Sequence, residues 1–270
     1  RPRPRTGFME SMPQAFIVDA VVREVRRLEG YPDLSVLDLS CGEGEVLSRL
    51  AADGCRVRGT HFRDDDYIVE DRARLAALPI TRGVDLQQRL PFPDGSFDLV
   101  LLTEVLEHLD SHFHILAEVS RVVRPGGHFV FSTPNLQRLH SRLQFFLTGK
   151  HKLIRRRVGW DQTAADRYAF HIGPVDFPLL HAALGWEGFR ILRLGLTQLK
   201  LKSVLLSPLW PLVWLSCRLT VDKDARRNPV LRETERSLNR WLSDPSMLFS
   251  EQLLVVARRH EPPRATIPPH

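Results

Sequence analysis

One short stretch, VLDLSCGEGEVLSRLA at positions 36–51, constrains the fold of this chain more strongly than any other. An apolar run reaches the acidic residue Asp38, passes through Gly42 and Gly44, and continues with apolar residues at helical spacing. A strand that turns through glycine into a helix is a usual place for a ligand, because glycine permits positive φ and lets a ligand approach the backbone closely. A short glycine turn is a weak indicator of nucleotide binding when it stands alone.

Strand and helix patterns alternate through most of the chain. Strands separated by helices imply crossover units and a mostly parallel sheet. We therefore predict an α/β protein with a Rossmann-like, seven-stranded, mostly parallel sheet and helices on both faces. The predicted strands are 35–39, 56–60, 80–84, 97–102, 128–131, 189–192 and 249–256, and the predicted helices are 17–28, 45–53, 115–123 and 177–184.

Composition agrees with a globular protein. The chain has 270 residues, of which 43% are hydrophobic and 26% charged, so it can bury one sizeable core. Its three cysteines form neither a disulfide framework nor a zinc pattern, which favours a reducing, cytoplasmic location. The net charge of +6 suits a partner that carries phosphates, although many soluble proteins are mildly basic.

The patterns divide the chain into a core and several attached segments. The core is predicted at 33–200 and contains a basic insertion at 136–160. The other predicted segments are an N-terminal arm and helix at 1–32, an apolar and basic appendage at 201–245, the last core strand at 246–258, and a disordered proline-rich tail at 259–270.

Four motifs, in order, resemble those of the class I S-adenosylmethionine-dependent methyltransferases. The glycine turn resembles the motif in which an acidic residue precedes Gly-x-Gly-x-Gly. The resemblance covers roughly residues 33–195 and implies an enzyme whose cofactor is S-adenosylmethionine. The other three matching segments are Gly83–Val100, Thr103–Leu109 and Arg124–Gly127.

The resemblance also implies which residues bind the cofactor. Backbone groups of Ser40, Cys41 and Gly42 would line its methionine part. Asp85 would accept a proton of the adenine amino group, with the backbone N–H of Leu86 nearby; the alternative for Asp85 is a cap of its own loop. The full predicted cofactor-binding set is Asp38, Leu39, Ser40, Cys41, Gly42, Gly44, His61, Asp85, Leu86 and Thr103.

Two positions depart from the family pattern. Ser40 replaces the first glycine, and the turn is expected to survive if the φ of Ser40 is negative. His61 stands at the end of the second strand, where the family usually has an acid that holds the ribose hydroxyls. Asp64, Asp65 or Asp66 could replace that acid. Otherwise the cofactor binds more weakly, or the protein is a catalytically degenerate scaffold at a membrane.

The catalytic candidates follow the fourth predicted strand. Glu104, Glu107 and His108 have the i, i+3, i+4 spacing of one helix face, and we predict Glu104 and His108 as catalytic, with His108 as the general base. The alternative is that these acids only offset the helix dipole. The string resembles both ubiquinone-type O-methyltransferases and RNA 2′-O-methyltransferases; in the second group such residues, here with His171, would hold a divalent metal.

We predict no metal and transfer to an oxygen of a small-molecule, glycan or lipid-linked acceptor. Nitrogen and carbon are less favoured acceptor atoms, and no feature of the sequence identifies the acceptor. Against the RNA alternative, the sequence has no aromatic and basic stacking module of the kind that binds RNA. The basic run around Lys150 to Arg157 is more typical of a solvated insertion than of a phosphate contact. Nucleic acid is therefore not an expected partner.

The apolar segment 204–215 contains two tryptophans and is interrupted by Pro208 and Pro211. It is shorter than the roughly 20 residues that span a bilayer. Its length and its flanking cations suit a segment in the interface of an anionic membrane, which predicts peripheral contact with the inner face of a bacterial membrane. A lid over the active site and a dimer contact remain open alternatives. The flanking cations are Lys200, Lys202, Arg218, Lys223, Arg226 and Arg227.

Overall fold

The computed structural model describes residues 15–62, 72–151, 173, 175–220 and 223–260. Within them, seven strands form one sheet, which confirms the predicted fold class. The strands are β1 Ser35–Asp38, β2 Arg56–Thr60, β3 Ile80–Thr81, β4 Phe97–Thr103, β5 Val123–Pro134, β6 Phe189–Gly195 and β7 Gln252–Arg259.

The strand order predicts a ligand site beyond the carboxyl ends of the central strands. The order is β3-β2-β1-β4-β5-β7-β6; β7 runs antiparallel to both of its neighbours, and the other pairings are parallel. The chain order reverses between β1 and β4. In an open parallel sheet, ligands bind beyond the carboxyl ends of the strands at such a reversal. The glycine turn after β1 and the segment after β4 both lie there.

Helices cover both faces of the sheet. Neighbouring strand residues point to opposite faces, so Val36 packs with α1 and α2, while Leu37 packs with α4 and α6. The helices are α1 Ala15–Val25, α2 Glu45–Ala52, α3 Arg72–Ala76, α4 His112–Val122, α5 Leu139–Thr148, α6 Phe177–Trp186, α7 Leu201–Val204, α8 Trp210–Leu219, α9 Lys223–Arg227, α10 Pro229–Leu242 and α11 Pro245–Phe249, with 3₁₀ turns at Leu106–His108 and Ser207–Leu209.

Strands β3 and β5 differ from the sequence-based prediction. β3 ends at Thr81, because Gly83 takes a positive φ of 69° and the N–H of Val84 turns to the carbonyl of His61. β5 begins at Val123 rather than after the glycines. Residues 124–127 bulge out of its pairing with β4, where Asp98 alone stands opposite them.

The carboxyl-terminal strand and the basic insertion also differ from expectation. β7 begins three residues after the predicted start at Phe249, because Asp244 caps a short helix that ends at Phe249. The first part of the predicted insertion is the helix α5; residues 152–160, with the basic run 155–157, lie outside the described residues.

The apolar appendage folds into short helices. Pro208 and Pro211 each stand in the first turn of a helix, where a missing backbone N–H does no harm, so they start helices instead of leaving the segment irregular. Among the described residues, no helix has both the length and the apolar character needed to cross a bilayer.

Candidate functional site

The turn after β1 is held by the neighbouring strand β2. Thr60 accepts the N–H of Ser40 with its side-chain oxygen at 2.9 Å and the N–H of Cys41 with its carbonyl at 3.1 Å. The carbonyl of Cys41 accepts the N–H of Gly44, the residue before α2, at 2.9 Å. The Ser40 and Cys41 donors are therefore already used inside the protein. The lining of the cofactor by Ser40 and Cys41 stays a prediction, and it would use backbone groups other than these N–H groups.

Ser40 corrects one expectation about the turn. Its φ is +61°, in the left-handed region, although a negative φ was the condition under which the turn was expected to survive. This conformation costs a residue with a side chain about 1–2 kcal/mol. The hydrogen bond from its N–H to Thr60 helps to hold it there. Serine thus keeps the glycine-like path of the chain.

Gly42 is the open position of the turn. Its φ is +55°, and a Cβ placed on it would meet no atom within 4 Å. Within the described part of the chain its N–H makes no backbone hydrogen bond. Gly44 differs, because a Cβ there would come within 2.5 Å of Leu78. Gly42 therefore offers a donor and free space, while Gly44 is required for packing.

Asp38 lies at the end of β1 as an uncompensated buried carboxyl. It is 2% exposed, and its Oδ1 has no hydrogen-bond partner. Burial raises the pKa of Asp38 to about 8. A buried carboxylate without a partner is costly unless a cation approaches it. Leu39, the next residue, is buried and uses its N–H to bond the carbonyl of Leu101 on β4.

His61 reaches from the end of β2 to the glycine turn. Its Nε2 lies 2.7 Å from the carbonyl oxygen of Gly42, and the side chain is buried. A carbonyl only accepts, so this geometry places the ring proton on Nε2. Nδ1 is then the acceptor left for a ribose hydroxyl. The acidic candidates Asp64, Asp65 and Asp66 lie outside the described residues.

Asp85 caps its own loop, as the alternative interpretation expected. Its Oδ1 accepts the N–H of Gln87 at 2.9 Å, and its carbonyl accepts the N–H of Gln88 at 3.0 Å. Oδ2 is the oxygen with which Asp85 would accept an adenine proton. Leu86 beside it is buried. The cap and the cofactor role are compatible.

The segment after β4 does not form the predicted helix face. Glu104 takes a positive φ of 55°, because its N–H bonds the carbonyl of Ser132 at 3.0 Å and continues the sheet pairing. Leu106–His108 forms only a 3₁₀ turn, and α4 begins at His112. Thr103 ends β4 with a buried hydroxyl that has no partner.

The carboxyl groups of Glu104 and Glu107 both accept hydrogen bonds from hydroxyl groups of β5. Ser132 donates its hydroxyl to Glu104 at 2.8 Å, and Thr133 donates to Glu107 at 3.0 Å. Burial raises the pKa of Glu104 to about 7, assisted by the charge of Glu251 and opposed by hydrogen bonds from Ser132 and Gln252. Burial, and then the charge of Glu104, raises the pKa of Glu107 well above its ordinary value. Glu104 is therefore poised to exchange a proton near neutral pH.

The two glutamates differ in access. Glu107 is 2% exposed, whereas Glu104 and His108 are partly exposed. Within the described ranges, no group of three or more histidine, cysteine, aspartate or glutamate side chains could hold a metal ion. His171, the further metal ligand considered from the sequence, lies outside those ranges.

Three groups that position the site were missed from the sequence. Thr60 is a buried polar residue at the carboxyl end of β2, and its place at the end of the predicted strand 56–60 is a signal that could have found it. Ser132 lies at the end of β5 beside Glu104. Glu251 comes from the antiparallel end of the sheet, and no local pattern ties it to residues so far away in the sequence.

A family model described as a methyltransferase domain matches residues 37–131, which run from β1 into β5. A demethylmenaquinone methyltransferase of Beutenbergia cavernae is 33% identical over 171 residues, which cover 60% of this chain and 69% of that protein. The seven-stranded sheet and the glycine turn after β1 place the chain in the class of Rossmann-like α/β proteins. The chain belongs to the family of S-adenosylmethionine-dependent methyltransferases.

Other similar proteins match over shorter parts. A probable S-adenosylmethionine-dependent methyltransferase of Mycolicibacterium smegmatis is 40% identical over 37% of this chain and 38% of its own length. A 27-O-demethylrifamycin SV methyltransferase of Amycolatopsis mediterranei is 34% identical over 42% of this chain and 44% of its own length. The chain thus spans less than half of these two relatives. The crystal structure of a SAM-dependent methyltransferase from Archaeoglobus fulgidus has the same fold, with a TM-score of 0.51 and 19% identity over 90% of this chain and 93% of that one.

The residues present fit S-adenosylmethionine, the cofactor of the family. This cofactor carries a positive sulfonium, an ammonium and a carboxylate. The unpartnered carboxyl of Asp38 suits a cation. The N–H of Gly42 and the start of α2 suit a carboxylate, because the amino end of a helix attracts negative charge. The free space above Gly42 leaves room for the methionine part.

Proposed function

We propose that the protein transfers a methyl group from S-adenosylmethionine to a hydroxyl oxygen of a small-molecule, glycan or lipid-linked acceptor, with Glu104 as the general base. One observation carries the proposal: at the edge of the sheet that holds the glycine turn, Glu104 has a pKa of about 7. A base works best when its pKa lies near the working pH.

Each group has a defined task in this proposal. When bound, S-adenosylmethionine supplies an activated methyl group. Asp38 and Gly42 would hold the methionine part and so fix the position of the methyl group relative to the acceptor. Glu104 takes the hydroxyl proton as the new carbon–oxygen bond forms. Ser132 orients its carboxylate by donating a hydrogen bond to Oε1.

Two further facts support an oxygen acceptor. The name of the Amycolatopsis mediterranei relative specifies an O-methyl product. A ubiquinone biosynthesis O-methyltransferase of Vibrio atlanticus is 29% identical over 48% of this chain. A hydroxyl loses a proton on methylation, and the raised pKa of Glu104 provides a group able to take it.

The experiment uses S-adenosylmethionine with a labelled methyl group and a panel of acceptors: a catechol, a reduced quinone and a lipid-linked sugar. Mass spectrometry identifies whether the product is a methyl ether. For the wild type, activity should rise with pH through about 7 as Glu104 ionises. Glu104→Gln should lose this rise and most of the activity.

His108→Asn is the matched comparison, because His108 is the base expected from the sequence. The proposal predicts that this variant keeps the pH rise. If His108→Asn were inactive while Glu104→Gln stayed active, His108 would be the base. That result would contradict the role proposed for Glu104. Cofactor binding without transfer to any acceptor would favour a degenerate scaffold.

A further inference from the structure

A large apolar face stands exposed on α5 and on the α7–α8 segment. Phe146 is 84% exposed, Leu147 69%, Leu205 70% and Leu212 65%. None of the ten residues of α8 is buried, although most are apolar. Isolated exposed leucines are normal, but a continuous patch of this kind marks an interaction site. We define the apolar face by Phe145, Phe146, Leu147, Leu205, Leu212 and Leu215.

The two helical segments share one foundation. Leu139 of α5 and Leu248 and Phe249 of α11 form a small buried cluster, on which Leu206 and Val213 pack. The indole of Trp210 meets the ring of Phe249 edge-on at 6.2 Å. The residues that point away from this cluster therefore lie on the same side of the domain. Because both helices pack on this cluster, their exposed sides belong to the folded structure and do not result from fraying of a helix end.

The two chain segments that carry the face have charges of one sign. Positions 136–151 and 196–220 contain no aspartate or glutamate. They contain six basic residues, of which Lys150, Lys202 and Arg218 are exposed. Arg218 lies over the ring of Trp214, with its guanidinium carbon 4.8 Å from the ring centre. The neighbouring helix α10 adds Glu233 and Glu235, so the excess of cations belongs to the segments of the face themselves. An apolar surface with cations among its own residues complements an apolar layer beneath negative charges.

We propose that the apolar face docks on the surface of an anionic phospholipid bilayer, with α5 and α8 lying in the interface. Interfacial helices bind by burying apolar side chains among the acyl chains while cations meet the anionic headgroups. The proposal extends the predicted membrane segment 204–215 to α5, whose apolar end the sequence pattern did not single out.

The structure also redefines which tryptophan faces the bilayer. Trp210 donates its indole N–H to the carbonyl of Ser243 at 3.0 Å and packs on Phe249, so it anchors α8 to the protein. Both tryptophans belong to the segment 204–215 that the sequence predicts in the membrane interface. Only Trp214, which is 44% exposed and carries Arg218 on its ring, keeps that role in the proposal. Replacing Trp210 would test folding rather than docking.

The test is co-sedimentation of the full chain with vesicles of equimolar phosphatidylcholine and phosphatidylglycerol, and with vesicles of phosphatidylcholine alone. The double variant Phe146→Ser with Leu205→Ser removes one large apolar group from each helical segment. The control is Phe113→Ser with Leu179→Ser, which removes the same residue types from exposed positions on α4 and α6. Thermal melting and sedimentation velocity are measured for all three proteins.

The proposal predicts retention on the anionic vesicles, weaker retention as salt rises, and little retention on phosphatidylcholine alone. The face variant should partition about tenfold less than the wild type or lower, since each lost side chain removes apolar burial. The control variant should bind as the wild type does. Failure of the anionic vesicles to retain the wild type would overturn the proposal, as would equal losses in both variants. A dimer that the face variant converts to a monomer, without vesicle binding, would make the face a contact between copies of the chain.

Discussion

The imidazole of His61 closes the glycine turn, because its Nε2 lies 2.7 Å from the carbonyl oxygen of Gly42. The family usually has an acid at this position, and an ionised carboxylate has no proton to donate to this carbonyl. The substitution therefore does more than remove a ribose ligand. It joins the end of β2 to Gly42, where a Cβ would meet no atom within 4 Å.

This contact changes the expected effect of restoring the family's acid. From the sequence alone, His61→Asp should tighten cofactor binding. With the contact present, the change removes a hydrogen bond worth about 1 kcal/mol and brings a carboxylate toward a carbonyl oxygen. We expect binding of S-adenosylhomocysteine about fivefold weaker by calorimetry. His61→Gln, which keeps a side-chain donor, should lose less. Tighter binding by His61→Asp would show that the ribose contact outweighs the contact to Gly42.

Asp38→Asn should make the free protein more stable and its cofactor complex weaker. The folded pKa of Asp38 is about 8 against an ordinary 3.8, so the cost of this carboxyl grows as pH rises from about 4 to about 8. Above that range we expect the variant to gain about 1–3 kcal/mol in urea unfolding. Calorimetry should show weaker binding of S-adenosylmethionine.

Asp98→Asn provides the contrast for Asp38. Asp98 is also buried, but it accepts the N–H of Ser35 at 2.7 Å and pairs with Arg124 at 2.7 Å. The same chemical change should therefore destabilise the protein at Asp98. A loss of stability at both positions would mean that Asp38 has a partner in the folded protein.

Glu104→Gln should report how much folding stability the protein loses because the pKa of Glu104 is raised. The folded pKa is about 7 against 4.5, so the wild type loses stability as pH rises between these values, and the loss persists above them. We expect the variant to gain about 1–3 kcal/mol at about pH 8 and little at about pH 4. Urea unfolding at the two pH values measures this difference. An equal gain at both would point to packing rather than to the charge.

Local patterns predicted the fold well because this fold repeats one unit. Three segments can each be recognised from a few residues: the run Ser35–Leu39, the glycines after it and the apolar strand 97–102. The third and last strands were placed less well. β3 stops where Gly83 turns the chain, and Phe249 was assigned to a strand although a helix cap at Asp244 precedes it.

The candidate site was less predictable because its partners come from distant parts of the chain. The left-handed backbone of Glu104 follows from a bond to Ser132, which no helical spacing could reveal. Likewise the contact from His61 to Gly42 depends on the pairing of β2 beside β1. Sequence patterns placed the candidate residues at this edge, and the strand order decided what each of them touches.

The most direct test of the account is calorimetric titration of S-adenosylhomocysteine into the wild type, Gly42→Val and Gly149→Val. Both glycines have a positive φ, +55° and +65°, and a Cβ at either would meet no atom within 4 Å. The backbone strain is therefore matched, but only Gly42 lies in the turn after β1. We predict that Gly149→Val binds as the wild type does and that Gly42→Val binds at least about tenfold more weakly, since its side chain takes space needed by the methionine part. Equal affinity of Gly42→Val and Gly149→Val would contradict the assignment of this turn as the cofactor site.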